Sequence, residues 1–304
     1  MTEPRNVGGL LDLGERVLKD STHLFEDHDN RQEAEELMAF ALGIDGDLDP
    51  DDEPSAAVRR HYLSLVARRA GGEPFPVITG RIEFYGLDLR VRPCAFVPRP
   101  SSELTVARAA LRLRGRKGPV SVVDVCTGAG PIALALADEF PGAEVWGADI
   151  DDNGLAQGRA NARRLGIANV RFRRSDLFGE LPARLRHDVD VITGHIPYVP
   201  LDELDDLPSE VREHEPAFML TDESDDGLAL IRRAVAEAPE WLKPGGWLLL
   251  EVSEDLGTKL RRMYRSSGLE DRGIATDSDR LSIVVEGRRP KAARAPARRK
   301  QPRT

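Results

Sequence analysis

Only two cysteines, Cys94 and Cys126, stand in a chain of 304 residues. That excludes a disulfide framework or a cysteine metal cluster, and both read as reduced thiols. The six histidines show no ligand spacing, so no metal site is expected. No run of 18 apolar residues occurs, and Met1-Thr2-Glu3-Pro4-Arg5 lacks the basic-then-apolar pattern of an export signal; the expectation is a cytoplasmic protein. Basic charge is also scarce. The chain carries 43 basic against 52 acidic residues, a net charge of -9. Eight of those basic residues crowd into Arg288 to Thr304, which has no acidic residue; taking them from the 43 leaves 35 against 52, or -17, for residues 1–287. The body therefore lacks a basic face with interleaved aromatics, which weighs against a nucleic-acid enzyme. The tail, 288–304, reads as disordered, either an arm making weak contact with RNA or another polyanion or a solubilising extension.

What is present fits a large domain joined to a smaller one, since 40% hydrophobic content over this length supports a sizeable core. Helical spacing without strand alternation runs through Leu10, Leu11, Val17 and Leu18, then Ala34, Leu37, Met38 and Leu42, then Val58, Tyr62, Leu65 and Val66. Gly43 and Gly71-Gly72 read as helix stops, and the acidic loop Asp45 to Pro54 separates the last two helices. Residues 1–74 thus form a helical N-terminal domain. Pro74, Pro76, Pro93, Pro98 and Pro100 punctuate the alternating segments Phe84 to Leu87 and Leu87 to Val91, so residues 75–100 read as a hairpin-like connector.

From residue 101 to 287 strands and helices alternate. Strands are expected at Val120–Val125, Glu144–Ala148, Val170–Arg173, Val189–Thr193, Trp247–Val252, Gly273–Thr276 and Leu281–Val285, and helices at Ile132–Phe140, Asp152–Leu165, Gly227–Trp241 and Leu256–Tyr264. This alternation implies an α/β fold with a doubly wound, mostly parallel seven-stranded sheet, Rossmann-like, and directs attention to the carboxyl ends of its strands.

The first such end, Asp124-Val125-Cys126-Thr127-Gly128-Ala129-Gly130, runs into a helix at Pro131. Its glycines permit close backbone approach, and the helix start offers unpaired N–H groups. It lacks the Gly-x-Gly-x-x-Gly spacing of a dinucleotide site and a lysine for phosphates, and an ordinary tight turn reads the same way. The second end is Asp149, about twenty residues on, as expected for a carboxylate that accepts from ribose hydroxyls; a helix-capping role is the alternative, shared with Asp151 or Asp152. The third is Ser175-Asp176-Leu177-Phe178, where Asp176 can accept from an adenine amino group and an apolar neighbour such as Leu177 can cover the ring. Together the three ends suit a nucleoside.

The fourth end is Gly194-His195-Ile196-Pro197-Tyr198. With it, Arg68-Arg69-Ala70-Gly71-Gly72-Glu73-Pro74, Ile78-Thr79-Gly80-Arg81, Glu83-Phe84-Tyr85-Gly86-Leu87, Val97-Pro98-Arg99-Pro100, the glycine turn and Asp149 fall in the order of one family. Over roughly residues 30–287 the chain resembles the protein-glutamine methyltransferases that modify peptide-chain release factors (HemK/PrmC-like). The resemblance implies S-adenosyl-L-methionine as cofactor, bound by Asp124, Cys126, Thr127, Gly128, Ala129, Gly130, Asp149, Asp176, Leu177 and His195. It also implies a protein acceptor and substrate recognition by the helical domain. In that family the fourth strand ends in Asn-Pro-Pro-Tyr. Here His195 replaces the Asn and Ile196 the first Pro, while Pro197 and Tyr198 are kept; Cys126 stands where the family usually has Gly.

An amide nitrogen is a weak nucleophile, so the family pattern implies two acceptors for its hydrogens, the Asn side chain and the carbonyl of the next residue. The Ile196 carbonyl retains the second role, and Pro197 keeps Ile196 extended. His195 accepts only through an unprotonated ring nitrogen, or acts as general base toward an acceptor that must lose a proton. Tyr198 supplies an aromatic wall attractive to a cationic methyl donor. Catalytic roles are thus expected of His195 and Tyr198, and acceptor binding of His195, Ile196, Pro197 and Tyr198. Glutamine in a protein such as a release factor is the leading acceptor. A nucleic-acid adenine, a small-molecule amine or hydroxyl, or a cofactor-binding protein that has lost transfer are the alternatives. Leu207 to Phe218, charged at Glu210, Arg212, Glu213, His214 and Glu215, reads as a solvated loop.

Overall fold

The computed structural model describes residues 4–24, 29–93, 96–276 and 282–291. Cys94 and the tail from residue 292 onward lie outside that set. Three helices open the chain, α1 (Val7–Lys19), α2 (Asn30–Leu42) and α3 (Ala56–Ala70). Each has a side-chain cap, with Asn6, Asp29 and Ser55 accepting from the backbone N–H groups of Gly9, Gln32 and Val58, which satisfies donors that the first turn cannot. Their apolar stripes meet in one cluster around Leu10, Leu37, Met38, Tyr62 and Leu65. The Tyr62 hydroxyl donates to the Leu10 carbonyl inside it.

A short helix, α4 (Phe75–Thr79), follows, then a hairpin of β1 (Arg81–Phe84) and β2 (Leu87–Arg90). Tyr85 and Gly86, expected within an alternating segment, form the turn, both with positive φ. The hairpin packs into the large domain. On α7 (Asp152–Leu165), Asn161 accepts from the Arg90 N–H at 2.9 Å and donates to its carbonyl at 3.0 Å. Gln157 accepts from the Arg92 N–H. Two buried amides thereby continue the hydrogen bonding of a strand edge that the hairpin would otherwise leave open.

The large unit contains α5 (Glu103–Leu113), β3 (Val120–Val125), α6 (Pro131–Glu139), β4 (Ala143–Asp149), α7, β5 (Val170–Arg174), β6 (Val189–Gly194), α8 (Ser209–Arg212), α9 (Ala229–Trp241), β7 (Leu242–Val252), α10 (Gly257–Ser266), β8 (Glu270–Thr276) and β9 (Ile283–Arg288). The seven strands stand in the order β5-β4-β3-β6-β7-β9-β8. β3 to β7 are parallel; β9 pairs antiparallel with both β7 and β8. The mostly parallel, seven-stranded, doubly wound sheet is as expected. Helix α5 was not anticipated. Arg288 belongs to β9, pairing with Trp247, and not to a disordered tail.

Apolar clusters cover both faces of the sheet, one holding Val123, Ile192, Leu248, Leu250 and the stacked Phe178 and Trp241, the other Val122, Val145, Val191 and Leu249 with α5, α6 and α7. The chain moves outward from β3 to β5 and then returns across β3 to β6. Strand order therefore reverses between β3 and β6, where loops diverge and leave a crevice beyond the strands.

Candidate active site

A cavity of about 310 Å³ lies in that crevice, lined by Cys126 and Gly128 after β3, Asp149 to Asp151 after β4, Ser175 to Leu177 after β5, and His195 and Pro197 after β6. All four expected strand ends converge there. Phe96, Phe218, Met219 and Leu230 close it. The lining includes three carboxylates, Asp149, Asp151 and Asp176, and neither lysine nor arginine. A complementary ligand brings hydrogen-bond donors or positive charge, not phosphate.

Asp149 and Asp151 divide two tasks that the sequence left open. Asp151 caps α7, accepting from the N–H groups of Asn153 and Gly154. Asp149 accepts from the Gly128 N–H at 2.7 Å and the Asp151 N–H at 2.8 Å. This fixes its carboxylate at the cavity edge, where burial raises its pKa against the opposing backbone bonds. Asp176 is exposed and paired with Arg233 at 3.0 Å.

Not every candidate faces the cavity. Asp124 is 1% exposed and lies beneath the turn. Its carboxylate accepts from the Thr193 hydroxyl at 2.7 Å and from the Thr127 hydroxyl, tying β3, β6 and the turn together. Burial pushes its pKa up to about 6, against those two hydroxyls. Ala129 is buried, and Gly130 caps α6 with φ 79. A Cβ on Gly130 would sit 2.3 Å from the Phe172 ring, so only glycine fits both the torsion and the space. These residues shape the turn; Cys126 and Gly128 face the cavity. Cys126 has φ 52 and Leu177 φ 48, left-handed backbone that costs a side-chain-bearing residue on the order of 1–3 kcal/mol. The glycine usual in the family at position 126 avoids that strain.

His195 stands where this cavity meets a second, of about 270 Å³, lined by Arg99, Ile196, Tyr198, Val199, Leu207, Pro208, Val211 and Leu220. Phe96, His195, Pro197 and Met219 border both. The imidazole is stacked with Tyr198 at 5.8 Å and meets Phe96 edge-on at 5.7 Å. Burial pushes the Tyr198 hydroxyl up to about 12, so it stays neutral. The Ile196 side chain is buried in the core, leaving its backbone as the polar element of that position.

Residues 207–218 are only partly solvated. Leu207, Pro208 and Val211 wall the second cavity and Phe218 the first. The segment is fastened from beneath: Glu215 pairs with Arg99 at 2.7 Å, Glu210 with Arg69 at 3.1 Å, and Ser209 is 3.2 Å from the His23 ring. Of the charges that suggested solvent exposure, Glu210 and Glu215 are partners of Arg69 and Arg99, distant in sequence, while Arg212 and Glu213 are exposed and pair with each other. Phe96 and Arg99 were also missed, although Arg99 sits in a segment noted for its family resemblance.

Residues 117–267 match a family model described as a methyltransferase domain, and residues 16–80 one described as the PrmC N-terminal domain. Proteins named release factor glutamine methyltransferase are similar along most of the chain. That of Geobacter sulfurreducens is 37% identical over 265 residues, 85% of this chain and 89% of its own. That of Koribacter versatilis is 36% identical over 264 residues, covering 86% and 91%. Among solved structures, a T. thermophilus 16S rRNA N2 G1207 methyltransferase in complex with AdoMet and guanosine aligns with a TM-score of 0.51 at 20% identity, covering 69% of this chain and 49% of that one. That likeness is one of fold.

Proposed function

Because the chain belongs to the release factor glutamine methyltransferase family, we propose that it transfers a methyl group from S-adenosylmethionine to the side-chain amide nitrogen of a glutamine in a peptide-chain release factor. The observation that carries this reading is the junction at His195 and Pro197 of a carboxylate-lined cavity with a second, aromatic-edged one. The first suits a nucleoside bearing hydroxyls, an amino group and a positive charge. When bound, S-adenosylmethionine supplies an electrophilic methyl group on a sulfonium whose departure leaves a neutral thioether.

The residues then have separable tasks. Asp149 accepts from ribose hydroxyls, Asp176 from the adenine amino group, and Leu177 covers the ring, while Cys126 and Gly128 permit close approach. On the acceptor side the Ile196 carbonyl and an unprotonated nitrogen of His195 take the two amide hydrogens, turning the nitrogen toward the methyl group. Tyr198 and Phe96 exclude water around the reacting centre. The helical domain helps recognise the protein acceptor through the 207–218 segment that it holds.

The test is methylation of purified release factor with labelled cofactor, followed by mass spectrometry, alongside calorimetric binding of S-adenosylmethionine. Label on one glutamine is expected. Asp149→Ala should weaken cofactor binding by roughly 10- to 100-fold, the worth of hydrogen bonds to a charged group. Tight cofactor binding with no label on the release factor would overturn the acceptor assignment, and absence of cofactor binding would overturn the whole reading.

A further inference from the structure

Glu251 interrupts an otherwise apolar stretch of β7, Leu248-Leu249-Leu250-Glu251-Val252, and is fully buried. A charge in such a place persists only with dedicated partners. Ser101 and Ser282 donate to Oε1, each at 3.0 Å, and Thr105 donates to Oε2 at 3.2 Å. Oε2 also lies 3.7 Å from Nδ1 of His195, and the Ser102 hydroxyl is 3.4 Å from that same nitrogen. One edge of the imidazole therefore faces a carboxylate and a hydroxyl. The ring itself borders both cavities.

We propose that Glu251 is a positioning residue for methyl transfer, holding His195 with its proton on Nδ1 so that Nε2 presents a lone pair to the acceptor amide. This rests on the function argued above. The family's asparagine offers a fixed carbonyl oxygen at this position, whereas a neutral imidazole has two tautomers, of which one serves. The Glu251 carboxylate selects it. Burial pushes that carboxyl up, but the facing His195 and the serine hydroxyls outweigh burial and leave it below the ordinary carboxylate range. In the step itself the N–C bond forms as the cofactor's S–C bond breaks, its electron pair returning to sulfur. The amide nitrogen's proton passes to Nε2, and the imidazolium so formed is balanced by the Glu251 charge.

Among the described residues, the other charged or titratable groups around the ring are Tyr198, neutral over the working range, Arg99, paired with Glu215, and, across the first cavity, the Cys126 thiol and the carboxylates of Asp149, Asp151 and Asp176. Of these groups Glu251 is the one that faces Nδ1.

The experiment is long-range 1H–15N spectroscopy of 15N-histidine-labelled full-length protein, without cofactor or substrate, compared with Glu251→Gln. His195 should show the Nδ1–H tautomer in the parent and lose that preference in the variant. Turnover on the release factor should fall at least ~10-fold, with cofactor affinity unchanged. In a His195→Asn background, where an amide needs no such partner, adding Glu251→Gln should cost less than about 2-fold. An unchanged tautomer, or the same loss in both backgrounds, would overturn the proposal. If Glu251→Gln does not fold, Glu251→Asp, which keeps the charge among the hydroxyls but draws it back from the ring, carries the same spectroscopic test. The tautomer is read without substrate, so its failure is separate from failure of the acceptor assignment.

Discussion

Replacing Arg69 by methionine should loosen both the helical domain and the wall of the second cavity. The Arg69 side chain is 1% exposed. Its guanidinium reaches Glu33 of α2 at 2.9 and 3.1 Å and Glu210 of α8 at 3.1 and 3.4 Å, and it donates to the Glu73 carbonyl at 3.2 Å. One planar fork thus joins two carboxylates that belong to different parts of the fold, a geometry that lysine cannot reproduce. Methionine fills a similar volume but removes the shared cation. Breaking a buried ion pair costs about 3–5 kcal/mol; both carboxylates are 15% exposed, so hydration offsets part of this and about 3 kcal/mol is expected. Urea denaturation should be followed by two probes. The three tryptophans, Trp146, Trp241 and Trp247, all report the sheet domain, whereas far-ultraviolet circular dichroism also reports α1 to α3. The dichroism midpoint should fall further than the fluorescence midpoint. The KM for release factor should rise several-fold while cofactor affinity holds, because Pro208 and Val211 line only the second cavity. Unchanged midpoints together with an unchanged KM would refute the reasoning.

Two further outcomes follow from buried groups at the first strand end. Asp124 has a folded pKa of about 6, above its unfolded value, so its contribution favours folding at low pH and is lost as pH rises through 6. The stability of Asp124→Asn relative to the parent should therefore rise by about 3 kcal/mol between pH 3.5 and pH 7, and a difference independent of pH in paired denaturation curves would contradict the raised pKa. The Cys126 thiol is pushed well above its ordinary range by burial and by the facing carboxylates of Asp149, Asp124 and Asp176. In a Cys94→Ser background, iodoacetamide at pH 8 should modify it at least ~10-fold more slowly than free cysteine, and S-adenosylhomocysteine should slow it further; rapid alkylation insensitive to that ligand would remove Cys126 from the cofactor cavity.

How far the sequence disclosed the fold depended on whether local signals agreed. Helix α7 was legible to the residue because Asp151 caps its start and Gly166 adopts φ 73 at its end, and β3 because an apolar run ends in a glycine turn. Helix α5 was overlooked because its buried face is built from Thr105, Val106, Ala109, Ala110 and Leu113, mostly small residues beside a proline-rich stretch. Helix α4 was hidden by Pro74 and Pro76, which at its start initiate a helix instead of preventing one. In the site, strand-end logic found His195, Asp149 and Asp176 since topology brings strand ends together. It did not find Glu251, Ser101 or Ser102, whose relation to His195 depends on β7 lying beside β6 and on the turn of residues 100–102 before α5 meeting both. A signal was present all the same: a lone glutamate in a buried apolar strand demands a partner.

Four buried carboxylates on neighbouring strands carry that signal, and their partners are of two kinds. Asp190, near the start of β6, binds Arg116 and Lys243, and Glu286 of β9 binds Arg108 and Arg112. By contrast, Asp124 of β3 is held by the hydroxyls of Thr127 and Thr193, and Glu251 of β7 by those of Ser101, Thr105 and Ser282. Arginine or lysine cancels a carboxylate's field, whereas a hydroxyl satisfies its lone pairs and leaves the charge in place. Negative charge is thus neutralised at Asp190 and Glu286 and kept at Asp124, beneath the glycine turn, and at Glu251, 3.7 Å from His195, where the cavity carboxylates Asp149 and Asp151 add to it. A site that receives a sulfonium gains affinity from such a field, and one that releases a proton to His195 gains a counter-ion for the imidazolium. The same field opposes phosphate, so the carboxyl ends of these strands favour a cationic ligand over an anionic one by charge.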